Sequence, residues 1–226
     1  MEGAEKLGER EDSSNQATDA SEKQLRSRLD WVLVIILAVT SLCAAWSGYE
    51  AARWSGIQSA EYHRATASQS EANLETSRGY LAALGDESHF SGWADAYISG
   101  NDELATFFQQ RFSPEYETAF NAWIATSPRT NLDAPASPMQ MPEYVNPAID
   151  QAESLAVESH AAFDRGDRAN ERADAHVLNT VIFASVLFFA GFASRIRAVK
   201  GQFVIEAIAI VVLLIGLYQI LMIPIA

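Results

Sequence analysis

Five side chains of this 226-residue sequence have both the type and the setting to do chemistry: Glu50, Arg53, Asp174, His176 and Glu206. Glu206 stands inside an apolar run that starts near Phe203. An acid in hydrocarbon is costly and commonly marks an ion or proton site. Counted from Gly201 at 1.5 Å per residue, however, it lies only about 7 Å deep. The expectation is therefore a structural carboxylate at the interface, held by Arg197 or Lys200, and the sharper alternative is a ligand on a cation path. Glu50 and Arg53 follow one apolar run, and Asp174 and His176 precede another. At the mouths of neighbouring helices these four could face one another, and the expected arrangement is a structural ion-pair cluster.

Little else has the spacing of a reactive site. His160 and Asp164 are four apart with Asp167 close behind, which could meet a cation, but a metal site wants several converging ligands; the simpler expectation is a solvated helix face. His63, flanked by Glu61 and Arg64, reads the same way. There is no HExxH, CxxC or phosphate-binding glycine loop. Cys43 is alone, which removes an intramolecular disulfide and a cysteine metal site. Ser113 fits a helix cap better than a nucleophile. No enzyme activity, cofactor or metal is expected.

The elements that must position these residues begin with three apolar runs, Trp31–Gly48, Val177–Ala193 and Phe203–Ala226. A bilayer core about 30 Å thick takes roughly 17–25 apolar helical residues, so each run can cross. Basic residues at Lys23, Arg26 and Arg28, and again at Arg195, Arg197 and Lys200, stay on the cytoplasmic side by the positive-inside rule. Both clusters agree on one topology. The reading is a disordered cytoplasmic tail over 1–28, a first transmembrane helix over 29–48 and an extracytoplasmic all-α domain over 49–176. A second transmembrane helix (177–194), a basic connector (195–201) and a third transmembrane helix (202–226) complete it. Thirty partly acidic residues before the first run make a poor leader region, so that run is read as an anchor rather than a cleaved signal. The expected location is the plasma (inner) membrane.

The insert carries twenty acidic residues against eight arginines and no lysine. Such a surface repels phosphate polyanions, which argues against nucleic acid as a partner. Small residues recur at Ala44, Gly48, Ala52, Gly56 and Ala60, a spacing that lines one helical face and lets another helix approach. One long helix is expected from about Leu29 to Leu84, ending near Gly85. Shorter helices follow at Ser88–Ser99 and Asp102–Phe112, then one opened by Ser113-Pro114-Glu115, with cap, proline and acid in order. Phe107, Phe108, Phe112, Tyr116, Phe120 and Trp123 give a small aromatic core. Residues 127–146, rich in proline, read as a loop. Asn146-Pro147 starts a second long helix, continuous into the second apolar run. The two arms, spaced as in a coiled coil, form a stalk topped by a small head.

Several stretches carry a resemblance: Phe112-Ser113-Pro114-Glu115-Tyr116, Ala119–Ala125, Met141-Pro142-Glu143-Tyr144 and Asn179–Gly191. In these the chain resembles a family of uncharacterised bacterial multi-pass membrane proteins. The resemblance implies a multi-pass bacterial membrane protein and supplies no activity or catalytic residue.

Fold class is therefore an all-α membrane protein with three transmembrane helices, a helical stalk and a small head. The function expected is a non-enzymatic binding or scaffold module, with an oligomeric ion channel or transport component as the alternative. The expected partners are the lipid bilayer, further copies in a homo-oligomer, and an envelope protein or ligand at the head.

Overall fold

The computed structural model describes residues 23–196 and 198–226, and every regular element among them is helical. In order these are α1 (Lys23–Ile98), α2 (Asp102–Gln109), α3 (Pro114–Ala125), a single 3-10 turn (Pro138–Gln140), α4 (Pro147–Ala193) and α5 (Val199–Met222). Helices α1, α4 and α5 are each long and apolar enough to cross a membrane. Most of the expected tail, residues 1–22, lies outside the described residues, and residues 23–28 are helical within α1. The third apolar helix begins at Val199, inside the expected connector, and stops at Met222.

Helix α1 corrects one expectation. It does not end at Gly85 but runs on to Ile98, absorbing the separate helix expected at Ser88–Ser99. A helix-interior glycine costs about 1 kcal/mol relative to alanine, a small term beside the burial of Phe90, Trp93 and Ala96 further along. The stop comes where Gly100 takes φ +73°, with its N–H bonded to Tyr97 O and that of Asn101 to Ala96 O. This is the paired-bond ending that a left-handed glycine allows.

Helix α3 follows its local signals. Ser113 Oγ accepts from Tyr116 N–H, Pro114 opens the first turn, and Glu115 and Glu117 face the helix dipole. In α2, Asn101 caps through Leu104 N–H, and the helix ends at Gln109, three residues short of expectation. Residues 127–146 hold only the 3-10 turn, as their prolines demand.

The chain divides into two compact units. One comprises residues up to Ala60 together with Arg165–Ala226, and contains all three apolar stretches; the other is Glu61–Asp164. In the span-bearing unit, Leu33, Ile36, Phe183, Val186, Ala190, Ala193, Ala209 and Leu213 form an apolar core. Along α1 the buried face is Leu33, Ile36, Thr40, Ser47, Glu50, Ala51 and Trp54. The stripe of Gly48, Ala52 and Gly56 is instead exposed, and a Cβ built at either glycine meets nothing within 4 Å. Small size permits close packing but does not select the face. Trp54 selects it, because its ring is buried with Ala169 and Ala173 and its indole N–H donates to Pro224 O.

The second unit is built on aromatic packing. Phe90, Trp93, Phe112, Tyr116, Phe120 and Trp123 form its core with Ala96 and Ala105. Phe108 reaches into it over Gly92, where a Cβ would lie 2.5 Å from the ring. Asp86, on α1, accepts from both the N–H and the hydroxyl of Ser113 at 2.8 and 2.6 Å. The α3 cap is thereby tied to α1. On the α1 and α4 segments of this unit, buried residues recur at helical spacing, every three or four positions at Ala65, Ser68, Ala72 and Glu75 and at intervals of seven and three at Ala152, Ser159 and Ala162. Ser159 Oγ donates to Ala65 O across the pair.

Candidate functional site

Of the four residues expected to cluster, the structure buries two and exposes two. Gln58 Nε2 donates to Asn170 Oδ1 at 2.9 Å, and the Arg172 guanidinium lies 4.5 Å over the Trp54 ring. Continuing this antiparallel register puts Glu50 level with His176 and Ser47 level with Asn179. All four are at most 1 % exposed. Arg53, three residues from Glu50, points away from that face and stacks on Tyr49, while exposed Asp174 accepts from Asn170. The expected ion-pair cluster therefore does not form. Asp174 and His176, two apart, point to opposite sides of α4, and Arg53, at the edge of the Glu50 face, turns outward to the Tyr49 ring.

What forms instead is a buried polar layer. Glu50 Oε2 accepts from the N–H of Ala226 at 2.9 Å. Glu50 Oε1, Ser47 Oγ, both ring nitrogens of His176 and both amide atoms of Asn179 find no hydrogen-bond partner among the described residues. The same holds for Thr40 Oγ1, two helical turns along α1. Buried polar atoms are nearly always paired, so such a layer calls for water or another ligand. No three His, Cys, Asp or Glu side chains converge on a metal-sized site among the described residues.

A second polar set lies elsewhere in the same unit. Glu206 is 2 % exposed and accepts from Gln202 Nε2 at 2.9 Å, and that nitrogen is 3.3 Å from Asp30 Oδ1. The expected partner Lys200 is exposed and makes no ion pair with Glu206, and Arg197 lies outside the described residues. Gln202, not a cation, holds Glu206, because residues four apart share a helical face.

His63 and His160 are exposed, with Glu61 bonded to Arg64, and Asp164 and Asp167 are also exposed.

The second unit holds a site absent from the sequence reading. The end of α1, the end of α3 and the turn after it enclose a cleft of about 350 Å³. Its walls are Trp93, Tyr97 and Ile98 from α1, Trp123 and Ile124 from α3, and Ser127–Thr130 from the turn. Trp93 and Tyr97 stack at 4.9 Å and 13°, and Trp123 meets Trp93 edge-on at 6.1 Å. Trp123 is held in place by donating Nε1–H to Pro135 O at 2.7 Å. The turn is built on Ser127, which takes the left-handed φ of 57°, while its carbonyl accepts from Thr130 and Asn131. This carries Arg129 over the Tyr97 ring, 5.4 Å from its centre. Tyr97, Ile98 and Ile124 are 39, 77 and 40 % exposed.

Behind the cleft, Tyr116 is fully buried and donates to Glu87 Oε2. Burial, then the Glu87 carboxylate beside it, raise the Tyr116 hydroxyl far above the usual phenolic value. Burial also raises Tyr144. Both serve the core as neutral phenols.

No family model, curated protein or solved structure matches this chain.

Proposed function

We propose that the protein is a membrane-anchored, non-enzymatic binding module that presents its acidic helical insert outside the plasma membrane. In this reading the N-terminus and residues 195–201 are cytoplasmic, residues 49–176 form the extracytoplasmic stalk and head, and the head binds. The observation that carries the reading is the aromatic cleft on the second unit. Small-molecule sites are concave, mainly apolar and furnished with a few polar groups, and the cleft has that make-up. Its polar groups include the Ser127 and Thr130 hydroxyls and the Arg129 guanidinium, with no imidazole, carboxylate or thiol side chain in the lining. That chemistry recognises a ligand rather than transforms one.

Native mass spectrometry of the full chain, extracted from the membranes that make it, tests the reading. A retained small-molecule mass in the wild type that is lost when Ala94→Trp fills the cleft supports it. No retained mass, or the same mass in both, overturns it. The orientation has its own test on a Cys43→Ser background. A cysteine at Leu132 should label from outside intact cells, and cysteines at Ser13 and Ser194 should not.

The alternative, an oligomeric channel or transport component, is favoured by the buried polar sets around Glu50 and Glu206. Against it, the apolar core of Leu33, Ile36, Phe183, Val186 and Leu213 offers no polar route through a single copy. Conduction would have to run between copies. A monomeric mass in the membrane would then remove this alternative, and cation currents from the purified protein changed by Glu206→Gln would promote it.

A further inference from the structure

We infer that the cleft between the ends of α1 and α3 takes a metabolite-sized organic anion with a flat apolar body, an arylalkyl carboxylate being the simplest form; this rests on the head being a binding module. The body would lie against Trp93, Tyr97, Trp123 and Ile124, and the carboxylate would meet Arg129.

Size comes first. About 350 Å³ is at the lower end of small-molecule sites, which sets the scale at one or two rings rather than a polymer or a protein surface. The walls come second. Partly exposed Tyr97, Ile98 and Ile124, backed by the buried Trp93 and Trp123, favour a flat apolar body, which buries area there without leaving a polar group unpaired.

Charge decides the remaining chemistry. The insert has twenty acids against eight arginines, yet the only charged side chain among the cleft's lining residues is Arg129. A cation entering here would face that guanidinium. The carbonyls at the adjoining helix ends are already occupied: Asp95 O by Ser99, Ala96 O by Asn101, Tyr97 O by Gly100, Trp123 O by Thr126 and Ile124 O by Ser127. The one charged group that a ligand's polar end would meet in the lining is therefore a donor, the Arg129 guanidinium. Arg129 lies over the Tyr97 ring, 5.4 Å from its centre, and is exposed, and a ring contact of that kind uses none of the guanidinium's five N–H groups as a hydrogen-bond donor to a carbonyl or carboxylate. Those groups match a carboxylate in a bidentate fork. A neutral ligand of the same shape would leave the fork unused.

The test uses the full chain in lipid nanodiscs, with empty nanodiscs as the blank. The probes are 3-(4-fluorophenyl)propanoate and its uncharged amide, both followed by ¹⁹F NMR. The acid should bind about tenfold more tightly than the amide, and added salt should narrow the gap. Arg129→Gln should bring the two to parity, and Arg129→Lys should restore part of the preference. Equal affinities in the wild type, unmoved by salt, would defeat the anion inference while leaving the cleft as a binding site. Should Arg129→Gln disturb folding, seen as a changed near-ultraviolet dichroism, the wild-type acid-to-amide ratio and the lysine variant still decide. If neither probe binds beyond the blank, or if Ala94→Trp binds both unchanged, the binding-module reading fails with it.

Discussion

Asp86 links α1 to the start of α3, and removing it should cost more than any cap substitution alone. The carboxylate is 6 % exposed and accepts two hydrogen bonds from Ser113, at 2.8 and 2.6 Å. Ser113 Oγ in turn accepts Tyr116 N–H. Hydrogen bonds to a charged group contribute about 1.5–3 kcal/mol each, and relief of the carboxylate's own burial offsets part of the sum. Asp86→Ala should therefore cost about 3 kcal/mol. Ser113→Ala keeps the backbone bond to Asp86 and loses the cap and the hydroxyl bond, about 2 kcal/mol together. Because the two share one bond, the double variant should fall short of additivity by about 1–2 kcal/mol. Thermal unfolding followed by near-ultraviolet dichroism reads the packing of Trp93 and Trp123 beside this junction. For a unit of this size each 1 kcal/mol moves Tm by about 4–8 °C, so the single variants separate easily. Strict additivity, or a loss under about 0.5 kcal/mol for Asp86→Ala, would show that Asp86 does not tie the α3 cap to α1.

Two further outcomes follow from the same packing and burial. Gly216→Leu should cost about 1–3 kcal/mol by overpacking, since a Cβ there lies 2.7 Å from Phe183, whereas Gly48→Leu meets open space and should be neutral or slightly stabilising in detergent; equal losses would show that Gly48 also lies in a packed seam. Tyr116 has a folded-state value above its ordinary 10.0, so the stability it contributes is complete below about pH 10 and is lost as pH rises and the unfolded chain ionises. Tyr116→Phe should lose about 1 kcal/mol at pH 7 and show a shallower alkaline decline in denaturant titrations from about pH 9 to 11; parallel curves for wild type and variant would contradict the burial argument.

Where local chemistry decides structure, the sequence was legible. Ser113-Pro114-Glu115 opens α3 and Pro147 begins α4, because each signal acts on neighbouring backbone groups. The three apolar runs are legible for the same reason, since length and hydropathy are local sums. Gly85 misleads because its penalty is small against the packing of residues that follow it in the chain. The Gly48 stripe misleads because small residues suit a tight contact and an exposed face equally; the burial of Trp54 turns α1 by about one residue, or roughly 100°. Glu50 and His176 were recognisable as unusual, but their separation from Arg53 and Asp174 depends on that rotation. The cleft was least legible. Tyr97, Trp123 and Arg129 come from three segments, and aromatic residues at helical spacing read as core, which most of them are. The left-handed Ser127 that carries Arg129 over Tyr97 has no sequence signature, since serine seldom adopts that conformation.

The five tryptophans can report whether the head binds a ligand, because Trp31, Trp46 and Trp54 lie in the span-bearing unit and Trp93 and Trp123 line the cleft. In a 5-fluorotryptophan-labelled full chain in nanodiscs, assigned by single Trp→Phe variants, ¹⁹F resonances can be followed while small molecules extracted from the producing cells are titrated in. A binding head predicts saturable shifts at Trp93 and Trp123, with Trp31, Trp46 and Trp54 unmoved and with the shifts abolished by Ala94→Trp. Shifts confined to the three tryptophans of the span-bearing unit, or none at any of the five, would contradict it.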